Sequence, residues 1–143
     1  MAEQNSPDDF NWVAAQSTCN AASMFDRLVA GVKEDVQRRN GLLGRDDGWT
    51  FEVHEDGDDE FEVSRVVKSG GRDSTIGALV RFERAGRRIQ VHGDDVDVDF
   101  TAVVAVDAAG ACRFVVAEAL YSEWEIRRMA LELLFFEETE SPD

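Results

Sequence analysis

Lysine is almost missing from this chain. Lys33 and Lys68 stand beside thirteen arginines, and the fifteen basic residues face thirty acidic ones, for a formal charge of −15. That balance argues against nucleic acid as a partner, because a phosphate backbone is held by concentrated Lys and Arg. The arginine bias fits either GC-rich coding or life in high salt, where an acidic surface keeps a protein in solution. Long apolar runs are lacking too: nothing approaches the ~18 residues of a membrane span, so no membrane partner is expected. The N-terminus has no basic region followed by an apolar one, so no targeting signal is read and a cytoplasmic protein is expected. Two cysteines, Cys19 and Cys112, are too few for a disulfide framework, and with no secretory signal both are expected to be reduced. Cys112 then serves as a small apolar core residue, and Cys19 is a candidate thiolate only by its position near a helix start. No serine stands in a G-x-S-x-G elbow, and Ser69-Gly70-Gly71-Arg72 lacks the Lys-Ser/Thr of a phosphate loop. Nucleophilic catalysis and phosphate-loop chemistry therefore find no support.

Apolar material is not scarce. With 43% hydrophobic residues, nine Phe and three Trp, the chain can fill one core, and a single domain over residues 10–136 is expected between acidic tails at 1–9 and 137–143. Phe10–Ala15 is a short apolar patch that could open a strand or a helix. From Asn20 the spacing is helical, with Phe25, Leu28, Val29, Val32 and Val36 on one face. Thr18 or Asn20 can cap that helix, and Asn40-Gly41 offers the left-handed residue that commonly ends one.

Alternation takes over after residue 48. Trp49, Phe51 and Val53 make one strand; Phe61 and Val63 begin its partner across an acidic turn; Ser69–Ser74 is a flexible connection. The clearest pattern follows. Ile76, Ala78, Val80 and Phe82 line one side of a strand, Ile89 and Val91 one side of the next, and an Ala85-Gly86 turn would set Phe82 opposite Ile89 and Val80 opposite Val91. A four-residue loop over Arg84–Arg87 keeps the same register. In the last hairpin Phe100, Ala102, Val104 and Val106 match Cys112, Phe114 and Val116 only if the loop is odd-numbered, and Ala108-Ala109-Gly110 supplies it. Val103 then faces Val115 and Thr101 faces Ala117, so this hairpin is apolar on both sides and something must cover the second one.

Ser122 and Glu125 form a capping box that opens a helix from Glu123 to about Phe136. Its main stripe is Ile126, Met129, Ala130 and Leu133. Trp124, Leu131 and Phe135 form a second ridge on the far side, so the helix must be sandwiched, either inside the chain or between two copies. The fold expected is α+β and two-layered: an N-terminal helix, a six-stranded antiparallel meander, and a C-terminal helix. Its first helix covers the face bearing Val80, Phe82, Val104 and Phe114.

His54 and His92 each end a strand and enter an acidic turn, and two such turns at one end of a sheet could share an ion. Asp95, Asp97 and Asp99 open like a calcium loop, but Phe100 and Val106 stand where glycine and glutamate belong, which excludes an EF-hand. No metal or other cofactor is therefore assigned. By element order alone, and by no motif, the chain resembles small acidic secretion chaperones and helix-grip ligand-binding folds. The function expected is a non-enzymatic protein-interaction module of the acidic chaperone or adaptor type, a homodimer or a binder of another protein. Trp124, Leu131, Phe135, Val103 and Val115 are its candidate contact residues. The alternatives are a carrier of small apolar ligands, whose grip would use the same residues, and a metal-dependent enzyme built on His54 and His92.

Overall fold

The computed structural model describes residues 10–43, 48–68 and 74–136. The expected tails at 1–9 and 137–143, and the connection at 69–73, lie outside them. Three helices and seven strands follow in the order α1 (Trp12–Thr18), α2 (Ala21–Gly41), β1 (Trp49–Glu55), β2 (Glu60–Lys68), β3 (Ser74–Ala85), β4 (Arg88–Asp94), β5 (Asp99–Val106), β6 (Cys112–Val116), β7 (Ala119–Tyr121) and α3 (Glu123–Phe136). The strands form one antiparallel sheet in sequence order, so every neighbour is reached by a hairpin and no crossover is needed. The α+β two-layer expectation holds, with one more strand than the six read from the pattern.

The undecided patch at Phe10–Ala15 is helical: Asn11 caps α1 by accepting a hydrogen bond from the Ala14 N–H at 3.1 Å. Asn20 does the same for α2, accepting from the Ser23 N–H at 2.8 Å. Its C-terminal end departs from expectation. Neither Asn40 nor Gly41 is left-handed; both stay in the helix, and Leu42 follows in a right-handed conformation. Asn40 spends its side chain on the sheet instead. Its Nδ2 donates to the Phe51 carbonyl, and its Oδ1 accepts from the Phe51 N–H and the Thr50 hydroxyl, all at 2.9–3.0 Å. Those bonds fix the end of α2 to the start of β1.

The β3–β4 hairpin keeps its faces but slides by one pair. Phe82 lies opposite Val91 and Glu83 opposite Gln90, and the turn is Gly86-Arg87. The reason lies in the turn: two-residue hairpin loops need φ > 0 at their first central residue. An Ala85-Gly86 loop would put alanine there, whereas the observed loop puts Gly86 there at φ 63°. Arg84, on the inner face in either register, gains Ile89 as its cross-strand partner through the slide, and it reaches the β1–β2 turn through Asp59 (2.7 Å).

The β5–β6 hairpin has the expected register, Val104 opposite Phe114 and Val106 opposite Cys112, with Gly110 at φ 89° closing the loop. Asp107 organises that loop by accepting from the N–H groups of Ala109 and Ala111 and from Arg113 Nε at 2.9–3.0 Å. The Thr101–Ala117 pair does not form, because the chain turns at Ala117-Glu118 and returns as β7, pairing Val116 with Ala119 and Phe114 with Tyr121. Both turn residues have positive φ, 49° and 73°, as a type I′ turn requires, although neither is Gly, Asn or Asp.

The core lies between the helices and one face of the sheet. Phe25 from α2 and Phe51, Phe61, Phe82 and Phe114 from four strands are fully buried there, with Leu28, Val32, Ile89 and Ile126. Phe61 stacks on Phe82 with ring centroids 4.4 Å apart. Both α2 and α3 lie on this same face, and α3 joins α2 over Val80, Phe82, Val104 and Phe114. The two run parallel, since Arg127 in the first half of α3 contacts Gly31 and Asp35 in the middle of α2, while Phe135 near the end of α3 contacts Arg39 near the end of α2. Among the described residues no helix is long and apolar enough to cross a membrane.

The cysteines are not reduced. Cys19, between α1 and α2, is disulfide-bonded to Cys112 at the start of β6, with Cα atoms 5.2 Å apart. The count of two argued against a framework but says nothing about one bond. The meander brings the start of α2 over the end of the sheet where β6 begins, and that proximity is invisible across 93 residues of sequence.

Candidate interaction surfaces

At the start of α3 one half of the expected capping box forms: the Glu125 side chain reaches back to Ser122, whose hydroxyl donates to it instead of accepting from the Glu125 N–H. Glu125 Oε1 accepts from the Ser122 N–H (2.8 Å) and from the Ser122 hydroxyl (3.0 Å), and these bonds hold the Glu125 carboxyl below the usual range. Of the second ridge on α3, Leu131 (2% exposed) and Phe135 (7%) are buried within the chain, while Trp124 is 54% exposed. Phe135 packs on Phe51 with centroids 4.8 Å apart. The sandwich read for this helix is thus closed inside the chain at its C-terminal end and open at its first turn.

An ion-pair cluster joins the two helices. Arg127 donates through Nη1 to Asp35 and through Nε to Glu123, both at 2.7 Å, and more weakly to the Gly31 carbonyl at 3.3 Å. Burial opposes its charge, but the two carboxylates outweigh that and raise its pKa above the ordinary value. Gly31 leaves the room: a Cβ there would lie 2.6 Å from Arg127 Nε. Toward the other end, Arg39 Nε donates to the Phe135 carbonyl at 2.9 Å, capping the last turn of α3. Its guanidinium lies over the rings of Trp49, Phe51 and Phe136 at 4.8–5.7 Å. Outside this cluster the helices leave a groove of about 470 Å³, floored by Leu131 and Phe135 and rimmed by Leu42, Trp124 and Phe136.

Among the described residues neither α2 nor α3 covers the other face of the sheet. Register sorts its side chains into rows running across the strands. One row is His54, Glu62, Arg81, His92 and Asp99, a charged ladder in which Arg81 binds Glu62 at 3.0 Å and His92 approaches Glu83 at 3.9 Å. The hydrogen bond to Glu62 and the carboxylates of Glu60 and Glu83 raise the Arg81 pKa. His54 and His92 share this row but stand three strands apart, roughly 14 Å at ~4.8 Å per strand. Their turns do not share an end of the sheet: β1 and β4 run in opposite directions, so the 55–60 turn and the 94–98 turn leave at opposite ends. The juxtaposition that a shared ion needed is absent, and among the described residues no three His, Cys, Asp or Glu side chains are grouped to hold a metal.

A second row starts from the exposed Arg88, which lies opposite Val103, and is apolar over its last three strands. Val103 lies opposite Val115, and Val115 opposite Leu120. Val103 and Val115 are half-buried and Leu120 is 54% exposed. The sequence pattern found the first two; Leu120 was missed because a three-residue strand has no alternation to read. This row ends at β7, the last strand of the sheet, whose outer edge has no neighbouring strand among the described residues. Comparison of the chain with known family models, with curated proteins and with solved structures finds no match.

Proposed function

We propose that this protein is a non-enzymatic protein-interaction module that works as a homodimer joined at β7. The observation that carries the reading is the Val103–Val115–Leu120 row on the uncovered face, running out to an open strand edge. A two-fold axis beside β7 would bring the two Leu120 side chains together and pair the two edges, the self-complementary arrangement that closed dimers require. Trp124 lies on the helix side of the sheet and takes no part in that contact.

The acidic character of the chain fits an adaptor that stays soluble while presenting a few defined apolar contacts. A carrier of apolar ligands would need open space between sheet and helices, where Phe25, Phe51, Phe61, Phe82 and Phe114 now sit. A cytoplasmic setting, expected from the sequence, would hold Cys19 and Cys112 reduced, whereas their disulfide suits an oxidising compartment. Trapping free thiols in freshly lysed cells separates the two settings.

Light scattering on a sizing column tests the dimer. The native chain should run at twice 15.9 kDa. Leu120→Glu, at an exposed position, should run as a folded monomer, and Trp124→Glu should leave the mass unchanged. A native mass of one chain would overturn the reading.

A further inference from the structure

We propose that the groove between α2 and α3 is a docking site for an acidic amphipathic helix of another protein. The inference does not rest on the dimer, which uses the opposite face of the sheet.

Charge is the first argument. In a chain of net charge −15 with thirteen arginines, four of them, Arg38, Arg39, Arg127 and Arg128, line this one groove, against only Asp35 and Glu132 among its acidic lining residues. They come as adjacent pairs from two helices, so both walls are basic. Arg127 is committed to Asp35 and Glu123. Arg38 holds the exposed Glu34 and the half-buried Asp35, and Arg128 holds the exposed Glu132, each within one turn at 3.3–3.4 Å; with both guanidiniums largely in solvent, such pairs contribute little. Arg39 faces rings and a carbonyl, and makes no ion pair among the described residues. A carboxylate arriving at either wall would therefore meet an available guanidinium.

Shape is the second. The lining runs along α3 from Trp124 to Phe136, about 18 Å at 1.5 Å per residue. That is long enough for a docked helix whose anchors at i, i+3, i+4 and i+7 span about 10.5 Å, resting on an apolar floor with charged flanks. A second copy of this chain fits poorly, because an isologous contact would press eight arginines together. Residues 137–143, EETESPD, bring acid but no apolar anchor for the floor.

The probe is a labelled helical peptide of about 18 residues, long enough to hold a helix, with leucines at those anchor positions, four glutamates on the flanks and alanines elsewhere, titrated into the full chain and read by anisotropy. Binding at micromolar concentration is expected despite the acidic surface, weakening as salt rises. Arg38→Glu/Arg128→Glu should lose at least tenfold while keeping the native melting temperature, and Trp124→Ala should weaken binding too. Arg27→Glu/Arg88→Glu makes the same change in net charge at exposed sites outside the groove and should leave affinity within twofold. Three results would overturn the proposal: no binding of the peptide, equal loss in both arginine pairs, or a shift in the molar mass of the chain when Arg38 and Arg128 are reversed. A tenfold gain in affinity when Glu137, Glu138 and Glu140 become glutamine would also overturn it, since the occupant would then be the chain's own end.

Discussion

Reducing the Cys19–Cys112 bond should lower stability by several kcal/mol. The bond spans 93 residues, enclosing α2 and the first five strands. In the chain-entropy model a loop of that size restricts the unfolded state by about 15 cal/mol/K, or about 4.6 kcal/mol at 25 °C. For a domain of this length that corresponds to a melting temperature lower by about 10–20 °C. The measurement is thermal unfolding by circular dichroism with and without a thiol reductant, on the native chain and on Cys19→Ala/Cys112→Ala. The native chain should melt early only in reductant, and the variant should melt early in both. Cys19 is buried, so the variant also loses some packing, but its insensitivity to reductant isolates the bond itself. Equal native melting temperatures in both buffers would refute the reasoning, either because the bond does not form or because the unfolded chain gains nothing from its loss.

Three further outcomes follow from other parts of the fold. Phe82→Ala removes a fully buried ring stacked on Phe61 and should cost about 3–5 kcal/mol in denaturant unfolding; a cost under about 1 kcal/mol would mean the sheet does not close on α2 there. Glu118→Gly relieves a left-handed non-glycine residue and should stabilise by up to about 1 kcal/mol, seen as a higher melting temperature; a loss would show that the Glu118 side chain contributes more than its strain costs. Asp107 is held below the usual carboxylate range by the Ala111 N–H, then by Arg113 and the Ala109 N–H, and Glu125 by Ser122. Their folded values lie below their unfolded ones, so their stabilisation is present above an ordinary pKa of about 4 and drains as pH falls through the lowered values. Asp107→Asn should flatten the loss of stability below about pH 4, read as unfolding midpoint against pH.

How much of this was readable from the residues depends on the range over which each feature is decided. The α2 stripe, the alternation of β1 and of β3 from Ala78 to Phe82, the Glu125–Ser122 contact and the odd loop ending on Gly110 are set within a few neighbouring residues and are present in the structure; Ile76 leaves the expected row, because the pairing with β2 shifts between Arg65 and Val66 and the side chain is exposed. The inner and outer faces of the β3–β4 hairpin came from the same kind of local pattern. Its register missed by one pair because alternation repeats every two residues and cannot distinguish a slide of two; the φ requirement at Gly86 decided it. Strand β7 was too short to show a period, and with it went Leu120, the end of the apolar row. A meander places β1 and β4 antiparallel by parity, so the separation of the His54 and His92 turns was implicit in the strand order.

The sequence by itself determined where α2, α3 and six of the strands lie and which side of most of them is apolar, because backbone propensity and side-chain period act over a turn or two. Only the tertiary structure decided that α3 joins α2 on one face, that Leu131 and Phe135 serve the core while Trp124 does not, and that Cys19 meets Cys112. Each of these depends on how elements far apart in the chain are brought together, and no local pattern records the direction in which a two-sided helix will turn. The gathering of Arg38, Arg39, Arg127 and Arg128 into one groove has the same origin: two separate charged pairs in the sequence become the two walls of one surface only when α2 and α3 pack in parallel.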